Sequence, residues 1–288
     1  MKNILVTGAN GLLGRHIIKR LVHDDFKVFS LVRNEPESCV DGVDYIKVNL
    51  GGDWSCNLLP THIDSIIHLA QSDKFREFPE QALDVFQVNI ASTAKLLDYA
   101  AKVKCKNFIY ASSGGVYGAG SSAFSENSPI SPVGNLGYYL GSKLCSEILV
   151  QSYTEIMNVT ALRFFFMYGP GQKRSMLIPR LVDNIKNAQP ISLQGEQGIS
   201  INPIHVNDAV NALMNTFTLK QSSIINIGGP QVLSLRQIGD IIGEKLGKEP
   251  QYDKVSGKPN DLIGDVSLMK ELLYKPEIML ANGILDVL

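Results

Sequence analysis

The chain has 288 residues, of which 44% are hydrophobic and 19% are charged, which is enough apolar material for one large core or for a core with an appended lobe. Its formal net charge is −1, so no basic field points to nucleic acid or to an anionic membrane surface. The longest apolar runs are far shorter than a membrane-spanning helix requires, which excludes a membrane-spanning protein of that kind.

Up to residue 168, short apolar runs alternate with stretches whose apolar residues recur at helical spacing. Strands that alternate with helices in this way predict a parallel sheet with helices on both faces, which is the Rossmann-type doubly wound α/β fold. The predicted strands are residues 3–7, 27–32, 44–48, 65–70, 107–112 and 160–166, and the predicted helices are residues 12–23, 81–103 and 138–157.

The pattern changes after Gly169-Pro170-Gly171, where the predicted elements become short and mixed. We predict a dinucleotide-binding domain over residues 1–168 and a smaller mixed α/β substrate-binding lobe over residues 169–288, with some exchange of strands or helices between the two. In the lobe, the predicted helices are residues 176–188, 207–218 and 235–246, and the predicted strands are residues 191–194, 202–206 and 224–227.

The four cysteines are scattered along the chain with no closely spaced pair among them. This spacing is typical of reduced thiols rather than of a disulfide framework. The first predicted strand begins at residue 3, which leaves no room for a signal peptide before it. We therefore expect a soluble cytoplasmic protein.

A glycine-rich turn joins the first predicted strand to the first predicted helix, with Gly8, Gly11 and Gly14 at intervals of three residues. Glycines here permit a tight turn and let the backbone approach a pyrophosphate, which the positive N-terminus of the helix attracts. A glycine triplet alone is weak evidence, because glycines also end strands for structural reasons. Its strand–turn–helix context predicts a dinucleotide site formed by the three glycines and Leu12.

Arg33 follows the second predicted strand, at the place where dinucleotide-binding proteins distinguish their cofactors. A carboxylate there binds the ribose 2′-hydroxyl of NAD, whereas an arginine accommodates the 2′-phosphate of NADP. After this strand, the first carboxylate is that of Glu35. The sequence therefore favours NADP(H), with NAD(H) still open and a solvated arginine as the structural alternative.

Tyr139 and Lys143 are four residues apart in a predicted helix, which places both side chains on one face. An ammonium beside the phenol would lower the pKa of Tyr139 and let it exchange a proton near neutral pH, while the lysine also holds the nicotinamide ribose. Ser113, at the end of the fifth strand, would orient the same substrate oxygen during hydride transfer. Each residue alone is more often structural, but their order after the glycine turn predicts a catalytic triplet.

The histidines indicate no metal site. His68 lies inside an apolar strand and is expected to be a satisfied core residue, and His205 with Asp208 would supply two ligands without a third. Cys145 has no neighbouring base, so we do not expect it to be a nucleophile.

Eight segments carry motifs in a fixed order along nearly the whole chain. They are VTGANGLLG at 6–14, IIHLAQ at 66–71, VNIAST at 88–93, YASSGGVYG at 110–118, YYLGSK at 138–143, LRFFFMYGPGQ at 162–172, PIHVNDAV at 203–210 and DVSLMKELLYKP at 265–276. Together they resemble the extended short-chain dehydrogenase/reductase family, in particular its sugar-nucleotide epimerase, dehydratase and reductase branch.

This resemblance implies a role for a further set of residues, in which Asn49 stands where most relatives have aspartate. The implied cofactor contacts beyond the glycine turn are Arg33, Asn49, Leu50, Leu69, Ala70, Asn89, Tyr139 and Lys143. The implied catalytic residues are Ser113, Tyr139 and Lys143. The implied substrate contacts are Ser112, Phe166, Arg174 and Arg180.

Three departures from the family pattern bear on the substrate. Relatives often carry an asparagine where this chain has Phe166, and a diphosphate-binding arginine where it has Ile201. The acid–base trio of the dehydratase subgroup is replaced by Ser113-Gly114-Gly115, so 4,6-dehydration is not expected. The residues that could bind the diphosphate instead are Lys173, Arg174 and Arg180.

Three functional hypotheses follow. The main hypothesis is a reductase acting at C4 of a nucleotide-activated 4-keto-6-deoxyhexose, with hydride from NADPH and a proton from Tyr139. Arg33 favours it, because a net reduction must exchange its cofactor. The alternative is an NAD-dependent nucleotide-sugar 4-epimerase. A non-catalytic NADP-binding sensor or scaffold is the third hypothesis; Phe166 and Ile201 favour it, and the intact catalytic triplet opposes it.

The resemblance also implies a homodimer, in which the helices over residues 81–103 and 138–157 pair across the interface as a four-helix bundle. The expected partner is a nucleotide-sugar substrate in polysaccharide biosynthesis. Nucleic acid, membrane and metal are not expected partners.

Overall fold

A computed structural model of the chain describes residues 2–36 and 38–288, with the side chain of Val133 outside that description. The chain forms two compact units. The first contains the residues up to Val116, Ser131–Arg163 and Thr216–Ile225, and the second contains Tyr117–Ile130, Phe164–Asn215 and Asn226–Leu288. The functional division at residue 168, into cofactor and substrate parts, stays a prediction.

The strands and helices alternate along the first half of the chain. The strands are β1 Asn3–Thr7, β2 Lys27–Val32, β3 Val43–Lys47, β4 Ser65–His68, β5 Asn107–Ser113, β6 Asn158–Phe164, β7 Met167–Tyr168, β8 Ile191–Gln194, β9 Ser200–Ile201, β10 Ile204–His205, β11 Ser223–Ile227, β12 Leu233–Ser234 and β13 Tyr252–Val255. The α-helices are α1 Leu12–His23, α2 Ala82–Val85, α3 Ser92–Lys102, α4 Val133–Gln151, α5 Leu177–Lys186, α6 Val206–Asn215, α7 Leu235–Leu246, α8 Ser267–Leu272 and α9 Leu280–Gly283.

A seven-stranded sheet has the order β11-β6-β5-β4-β1-β2-β3. The pairs β1–β2, β1–β4, β2–β3 and β4–β5 are parallel. Six of these strands follow the Rossmann order, and the direction of winding reverses between β1 and β4. This architecture confirms the predicted fold class. The carboxyl ends of β1 and β4 lie side by side, with Thr7 paired to His68, and ligands of such folds bind at this edge.

The core of the first unit lies between the sheet and its helices. Leu5, Ile66 and Phe108 of the sheet are fully buried in one cluster with Leu96 of α3 and Val150 of α4. Burying strands on both faces explains why their sequences are nearly continuous apolar runs. The sheet is therefore a rigid platform for the residues at its carboxyl edge.

Two of the long predicted helices differ from their predicted form, one by an internal interruption and the other at its two ends. The helix predicted over residues 81–103 contains a π-helical segment, Phe86–Ala91, between α2 and α3. The helix predicted over residues 138–157 begins earlier, at Val133, and breaks at Gly137, whose φ of +66° and ψ of 177° are accessible only to glycine. It ends at Gln151, where the Ser152 hydroxyl donates to the carbonyl oxygen of Ile148.

The second unit is the smaller of the two, mixes short helices with short strands, and is built around short strand pairs. The pairs β7–β10 and β8–β13 are parallel, and β9–β12 is antiparallel. Its core joins helices α5 and α7 to these strands through Leu181, Ile238 and Leu193. Among the described residues, no helix is both long enough and apolar enough to cross a bilayer.

Candidate active site

The glycine-rich turn after β1 packs against the chain that follows β4. Gly8 has a φ of +73°, and a Cβ there would lie 2.7 Å from the nitrogen of Ala70, so both conformation and space require glycine. A Cβ on Gly14 would lie 2.2 Å from the carbonyl oxygen of Gly8. These two glycines are therefore explained by close backbone packing alone.

Gly11 differs because its surroundings are open. Apart from its chain neighbours, a Cβ there would meet one described atom within contact distance, the Gly8 oxygen at 3.1 Å. Gly11 is also the N-cap of α1, which no described side chain caps and whose first turn has no acidic residue. Uncapped amides at a helix N-terminus attract anions. The turn therefore fits a dinucleotide pyrophosphate, which would occupy the space that a side chain at position 11 would fill.

Asn49 and Leu50 follow β3. The Oδ1 atom of Asn49 accepts a hydrogen bond from the nitrogen of Gly51 at 3.2 Å, and Leu50 packs, partly buried, against the core of the first unit. Asn49 thus shapes a turn at this edge of the sheet, and adenine contact by the two residues stays a prediction.

Arg33 lies just after β2 and is paired with a carboxylate. Its Nη2 atom lies 3.0 Å from Oδ2 of Asp73, and its Nη1 atom lies 3.5 Å from Oδ1 of the same residue. Asp73, and more distantly Asp84, raise the pKa of Arg33. Arg33, which the sequence predicts to bind a 2′-phosphate, is therefore occupied by the carboxylate of Asp73 in this structure.

His68 sits in a directional chain of hydrogen bonds. The hydroxyl of Thr93 donates to the carbonyl oxygen of Asn89 at 2.6 Å, so it can only accept from Nε2 of His68 at 2.8 Å. The Nδ1 atom then accepts from the hydroxyl of Thr7 at 2.7 Å, which itself accepts from the nitrogen of Ala70. Burial lowers the pKa of His68 to about 3. The ring is neutral and satisfied, as predicted.

Asn89 is the buried residue of the π-helical segment and connects three parts of the site. Its Oδ1 atom accepts from the nitrogen of Ser72 at 2.9 Å, and its Nδ2 atom donates to the hydroxyl of Ser142 at 2.8 Å. Ser142 in turn donates to the carbonyl oxygen of Tyr139 at 2.7 Å. Asn89 therefore fixes α4 against the chain after β4, and its direct contact with cofactor stays a prediction.

Tyr139 lies in the first turn after the break at Gly137. Its hydroxyl donates to Oε1 of Gln71 at 2.9 Å, and its ring centroid lies 4.7 Å from that of Phe75. Both partners come from the segment that follows β4. The phenol is thus held at the same edge of the sheet as the glycine turn.

Lys143 lies one turn after Tyr139 and is 2% exposed. Its Nζ atom donates to the carbonyl oxygen of Ala111 on β5 at 2.8 Å and lies 5.3 Å from the centroid of the Tyr110 ring. The ammonium is therefore held against the end of β5, the strand that carries Ser113.

The electrostatics of this pair correct one prediction. Burial raises the pKa of Tyr139 to about 12, against smaller lowering effects of Arg76 and Gln71. Burial also lowers the pKa of Lys143 to about 7, so this lysine is only partly charged near neutral pH. The expectation that Lys143 lowers the pKa of the phenol is wrong for this structure: burial raises that pKa, and the groups that oppose the rise are Arg76 and Gln71.

Ser113 and Ser112 end β5 with side chains on opposite faces of the sheet. The Oγ atom of Ser113 accepts from the nitrogen of Gly115 at 3.2 Å. Ser112 is buried and donates to Oε2 of Glu147 at 2.6 Å, and Glu147 forms a buried ion pair with Arg163. The hydroxyl hydrogen of Ser112 is thus used inside the protein, and its contact with substrate stays a prediction.

The other predicted substrate contacts belong to the second unit. Phe166 has a φ of +42°, a left-handed conformation that asparagine tolerates far better than a bulky residue. Arg174 is bound by Asp183 and donates to the carbonyl oxygen of Val287 at 2.9 Å. The side chain of Arg180 is exposed on α5. Their roles in substrate binding stay predictions.

Sequence reasoning missed Gln71, Phe75 and Glu147. The signal for the first two was their place directly after a strand at the switch point, where ligand-binding residues collect. The signal for Glu147 was its spacing, four residues after Lys143 on the same helix face.

The model of a family described as the NAD dependent epimerase/dehydratase family matches residues 4–228. The uncharacterized UDP-glucose epimerase YtcB of Bacillus subtilis (strain 168) is 29% identical over 309 residues, which cover 98% of this chain and 95% of YtcB. The dTDP-4-dehydro-6-deoxyglucose reductase of Escherichia coli is 26% identical over 312 residues, which cover 98% of this chain and 95% of the reductase.

A solved structure, MoeE5 in complex with UDP-glucuronic acid and NAD, is similar to this chain over nearly its whole length. The TM-score is 0.85 at 26% sequence identity, and the match covers 99% of this chain and 97% of MoeE5. The Rossmann-like fold is thus shared with a protein whose structure contains NAD.

Proposed function

The chain belongs to the NAD dependent epimerase/dehydratase family, and we propose that within this family of enzymes it is a nucleotide-sugar 4-epimerase that uses NAD. One observation carries the proposal, the continuous run of contacts from the glycine turn to the phenol. Gly8 packs on Ala70, and the adjoining Gln71 accepts the hydrogen bond of Tyr139. A dinucleotide on the glycine turn would therefore extend towards that phenol.

The relatives support a UDP-hexose or UDP-hexuronic acid as substrate. YtcB is named as a UDP-glucose epimerase, and MoeE5 is seen with UDP-glucuronic acid and NAD. The epimerase hypothesis, which was the alternative on sequence grounds, thus becomes the main one.

Bound NAD would supply the acceptor for a hydride from C4 and would return that hydride to the opposite face of the same carbon. Tyr139, as the phenolate, takes the proton of the C4 hydroxyl while the C4–H bond breaks and the carbonyl forms. In the second half it gives the proton back to the C4 oxygen. No proton or electron is gained or lost overall.

Ser113 and Lys143 have supporting roles in this mechanism. Ser113 accepts a hydrogen bond from the nitrogen of Gly115, which leaves its own hydrogen for the C4 oxygen of the substrate. Lys143 would hold the cofactor ribose from the end of β5. Its buried amine is only partly charged near neutral pH, so Arg76 is the fixed cation that favours the phenolate.

The ion pair between Arg33 and Asp73 supports NAD rather than the NADP(H) that Arg33 alone would favour. A 2′-phosphate carries close to two negative charges and would have to displace the Asp73 carboxylate from the arginine. An uncharged 2′-hydroxyl meets no such repulsion. A cofactor that is never consumed also has no need to exchange.

The 4-ketoreductase is the second candidate, and Arg33 is the observation that favours it. If the arginine leaves Asp73 to receive a 2′-phosphate, NADPH could bind and exchange after each turnover. The similarity to the Escherichia coli reductase supports this candidate.

One experiment separates the candidates. Purified protein is denatured, and the released cofactor is identified by mass. Intact protein is then given UDP-glucose or UDP-glucuronic acid without added cofactor, and the C4 epimer is sought by proton NMR. The proposal expects NAD and the epimer. If the protein instead oxidises added NADPH in the presence of a 4-keto-6-deoxy sugar nucleotide and forms no epimer, the 4-ketoreductase replaces the epimerase as the first candidate.

Tyr139→Phe is the control for both candidates. It should retain cofactor but lose turnover by about a hundredfold or more, because proton transfer by a positioned group contributes that much. A wild type that holds cofactor and turns over neither substrate class would support the non-catalytic alternative.

A homodimer and a cytoplasmic role in supplying polysaccharide precursors complete the proposal. Exposed apolar side chains on two neighbouring helices support the dimer. Leu83 of α2, Phe86 of the π-helical segment and Ile148 of α4 are 77%, 41% and 59% exposed. Such a surface is suited to the same surface of a second copy.

A further inference from the structure

Gln71 lies between two residues whose backbones are pinned. The nitrogen of Ala70 donates to the hydroxyl of Thr7 at 3.1 Å, and the nitrogen of Ser72 donates to Oδ1 of Asn89 at 2.9 Å. Thr7 and Asn89 are both buried. The backbone of Gln71 is therefore fixed on both sides, although the residue itself is exposed.

The same network fixes the tyrosine that Gln71 contacts. Asn89 donates to the hydroxyl of Ser142, which donates to the carbonyl oxygen of Tyr139. The ring of Phe75 packs against the ring of Tyr139 from the segment that carries Gln71. One buried asparagine thus sets both partners of the 2.9 Å hydrogen bond between the phenol and the amide.

A primary amide suits both protonation states of a phenol. Its oxygen accepts from the neutral phenol, and after rotation of the amide its NH₂ group donates to the phenolate. An amide does not itself take up a proton in the working pH range, so it does not compete for the proton of the substrate. A glutamate would repel the phenolate, and a methionine would make neither hydrogen bond.

We infer that Gln71 is a positioning residue for proton transfer, which holds the oxygen of Tyr139 in place and whose amide follows the phenol between its two protonation states. The reaction in which Gln71 takes part rests on the proposed function, whereas the hydrogen bond between Gln71 and Tyr139 is independent of that function.

Two titratable groups of the described residues act on Tyr139 or are acted on by it: Arg76, on the same segment as Gln71, and Tyr110 on β5. Lys143, one turn further along the helix of Tyr139, donates to Ala111 on β5. Burial raises the pKa of Tyr110 well above its usual range, so Tyr110 stays neutral. Gln71 is the uncharged partner, and its replacement by glutamate adds one negative charge at hydrogen-bond distance.

The test measures the phenol directly. Tyr139 is replaced by 3-fluorotyrosine, whose phenol ionises at lower pH, and its titration is followed by ¹⁹F NMR in the otherwise wild-type chain, in Gln71→Glu and in Gln71→Met. The expected result is a pKa higher by about one unit or more in Gln71→Glu, because a like charge disfavours the phenolate. Gln71→Met should raise it less.

Gln221→Glu is the matched control, since it makes the same charge change at an exposed glutamine just before β11. It should leave the titration unchanged. Gln71→Asn, which keeps the amide on a shorter side chain, replaces Gln71→Glu if the glutamate variant does not fold, and it should also change the titration because its amide cannot reach the phenol.

Turnover of the UDP-sugar gives a second readout. In Gln71→Met, kcat should fall about tenfold with little change in KM. In Gln71→Glu, the acidic limb of the pH–rate profile should move to higher pH, by the same amount as the pKa of the Tyr139 phenol. A merely structural role would lower stability and leave that limb in place.

The outcomes separate this inference from the proposed function. An unchanged titration in both Gln71→Glu and Gln71→Met overturns the inference, whatever the turnover. A shifted titration in a protein that epimerises no nucleotide sugar overturns the proposed function and leaves Gln71 as the partner of the phenol.

Discussion

Lys143 is a charged residue that folding places in a nearly water-free position, with 2% of its surface exposed. Its hydrogen bond to Ala111 keeps the amine oriented, but burial lowers its pKa to about 7. Proteins tolerate such destabilising groups mainly where function needs them. The stability of this protein should therefore depend on the protonation of one site residue.

Lys143→Met should raise the free energy of unfolding at pH 7, and this advantage should shrink as the pH rises towards 10.5. The unfolded lysine keeps its ordinary pKa of 10.5, whereas the folded one loses its proton above about 7. Between these values the unfolded state binds more protons, so the wild type gains roughly 4 kcal/mol over three pH units, and the variant does not. Urea denaturation across this pH range measures the difference, and a constant difference would contradict the argument.

Asp73→Asn should shift cofactor preference towards NADP. Removing the carboxylate leaves Arg33 available to a 2′-phosphate, and we expect the ratio of NADP affinity to NAD affinity to rise about tenfold, or 1.4 kcal/mol. Isothermal titration calorimetry with both cofactors measures the ratio. Asp98→Asn, which breaks an exposed ion pair with Lys102 on α3, is the control. An unchanged ratio in Asp73→Asn would show that Asp73 does not select the cofactor.

At the residue scale, the sequence predicts which side chains form the site more readily than it predicts how deeply those side chains are buried. The spacing of Tyr139 and Lys143 predicts their shared helix face, because helical geometry alone decides it. Their pKa values depend on how deeply other segments bury them, and Gln71 and Phe75 come from a loop far away in sequence. That is why the predicted direction of the Tyr139 pKa shift was wrong.

Gly11 and Gly14 show, at the scale of one element, that two glycines of a motif can have different tasks. Gly11→Ala should change the free energy of unfolding by no more than about 1 kcal/mol, because the Cβ meets little and the φ of −73° is ordinary. It should weaken NAD binding at least tenfold by occupying the place of the pyrophosphate. Calorimetry and urea denaturation measure the two quantities.

Gly14→Ala is the matched partner of that variant. Its Cβ would lie 2.2 Å from the Gly8 oxygen, so the helix or the turn must move, and we expect a loss of about 3 kcal/mol of stability. If Gly11→Ala instead unfolds the protein and Gly14→Ala does not, the assignment of the two glycines is reversed.

The elements of the regular half are predictable because their apolar periods differ between strands and helices. Their ends are less so. The break before Tyr138 depends on a backbone conformation of Gly137 that composition does not reveal, and the π-helical turn around Asn89 has no simple sequence signal. The strands β7, β9 and β12 have two residues each, too few for any period, and were missed for that reason. The strand β13 has four residues but is largely exposed, so it lacks the apolar run that revealed β8.

At the scale of the whole molecule, the dimer is the property to test. Ile148→Glu places a charge on the exposed apolar surface of α4 and should turn a dimer into a monomer in dilute solution. Multi-angle light scattering measures the mass. Val232→Glu, at an exposed valine of the second unit, is the control. A wild type that is monomeric and fully active would contradict the proposed assembly.

The two compact units are interleaved in sequence, since the chain returns to the first unit twice after leaving it. The sheet therefore acquires its outermost strand, β11 beside β6, only from residues near 223. During synthesis, β6 is made before β11, so one hydrogen-bonding edge of β6 stays unpaired until the later strand has been made. An unpaired strand edge can form hydrogen bonds with strands of other chains. A fragment that ends at residue 168 lacks β11, so the edge of β6 should remain unpaired and the fragment should aggregate when it is expressed alone.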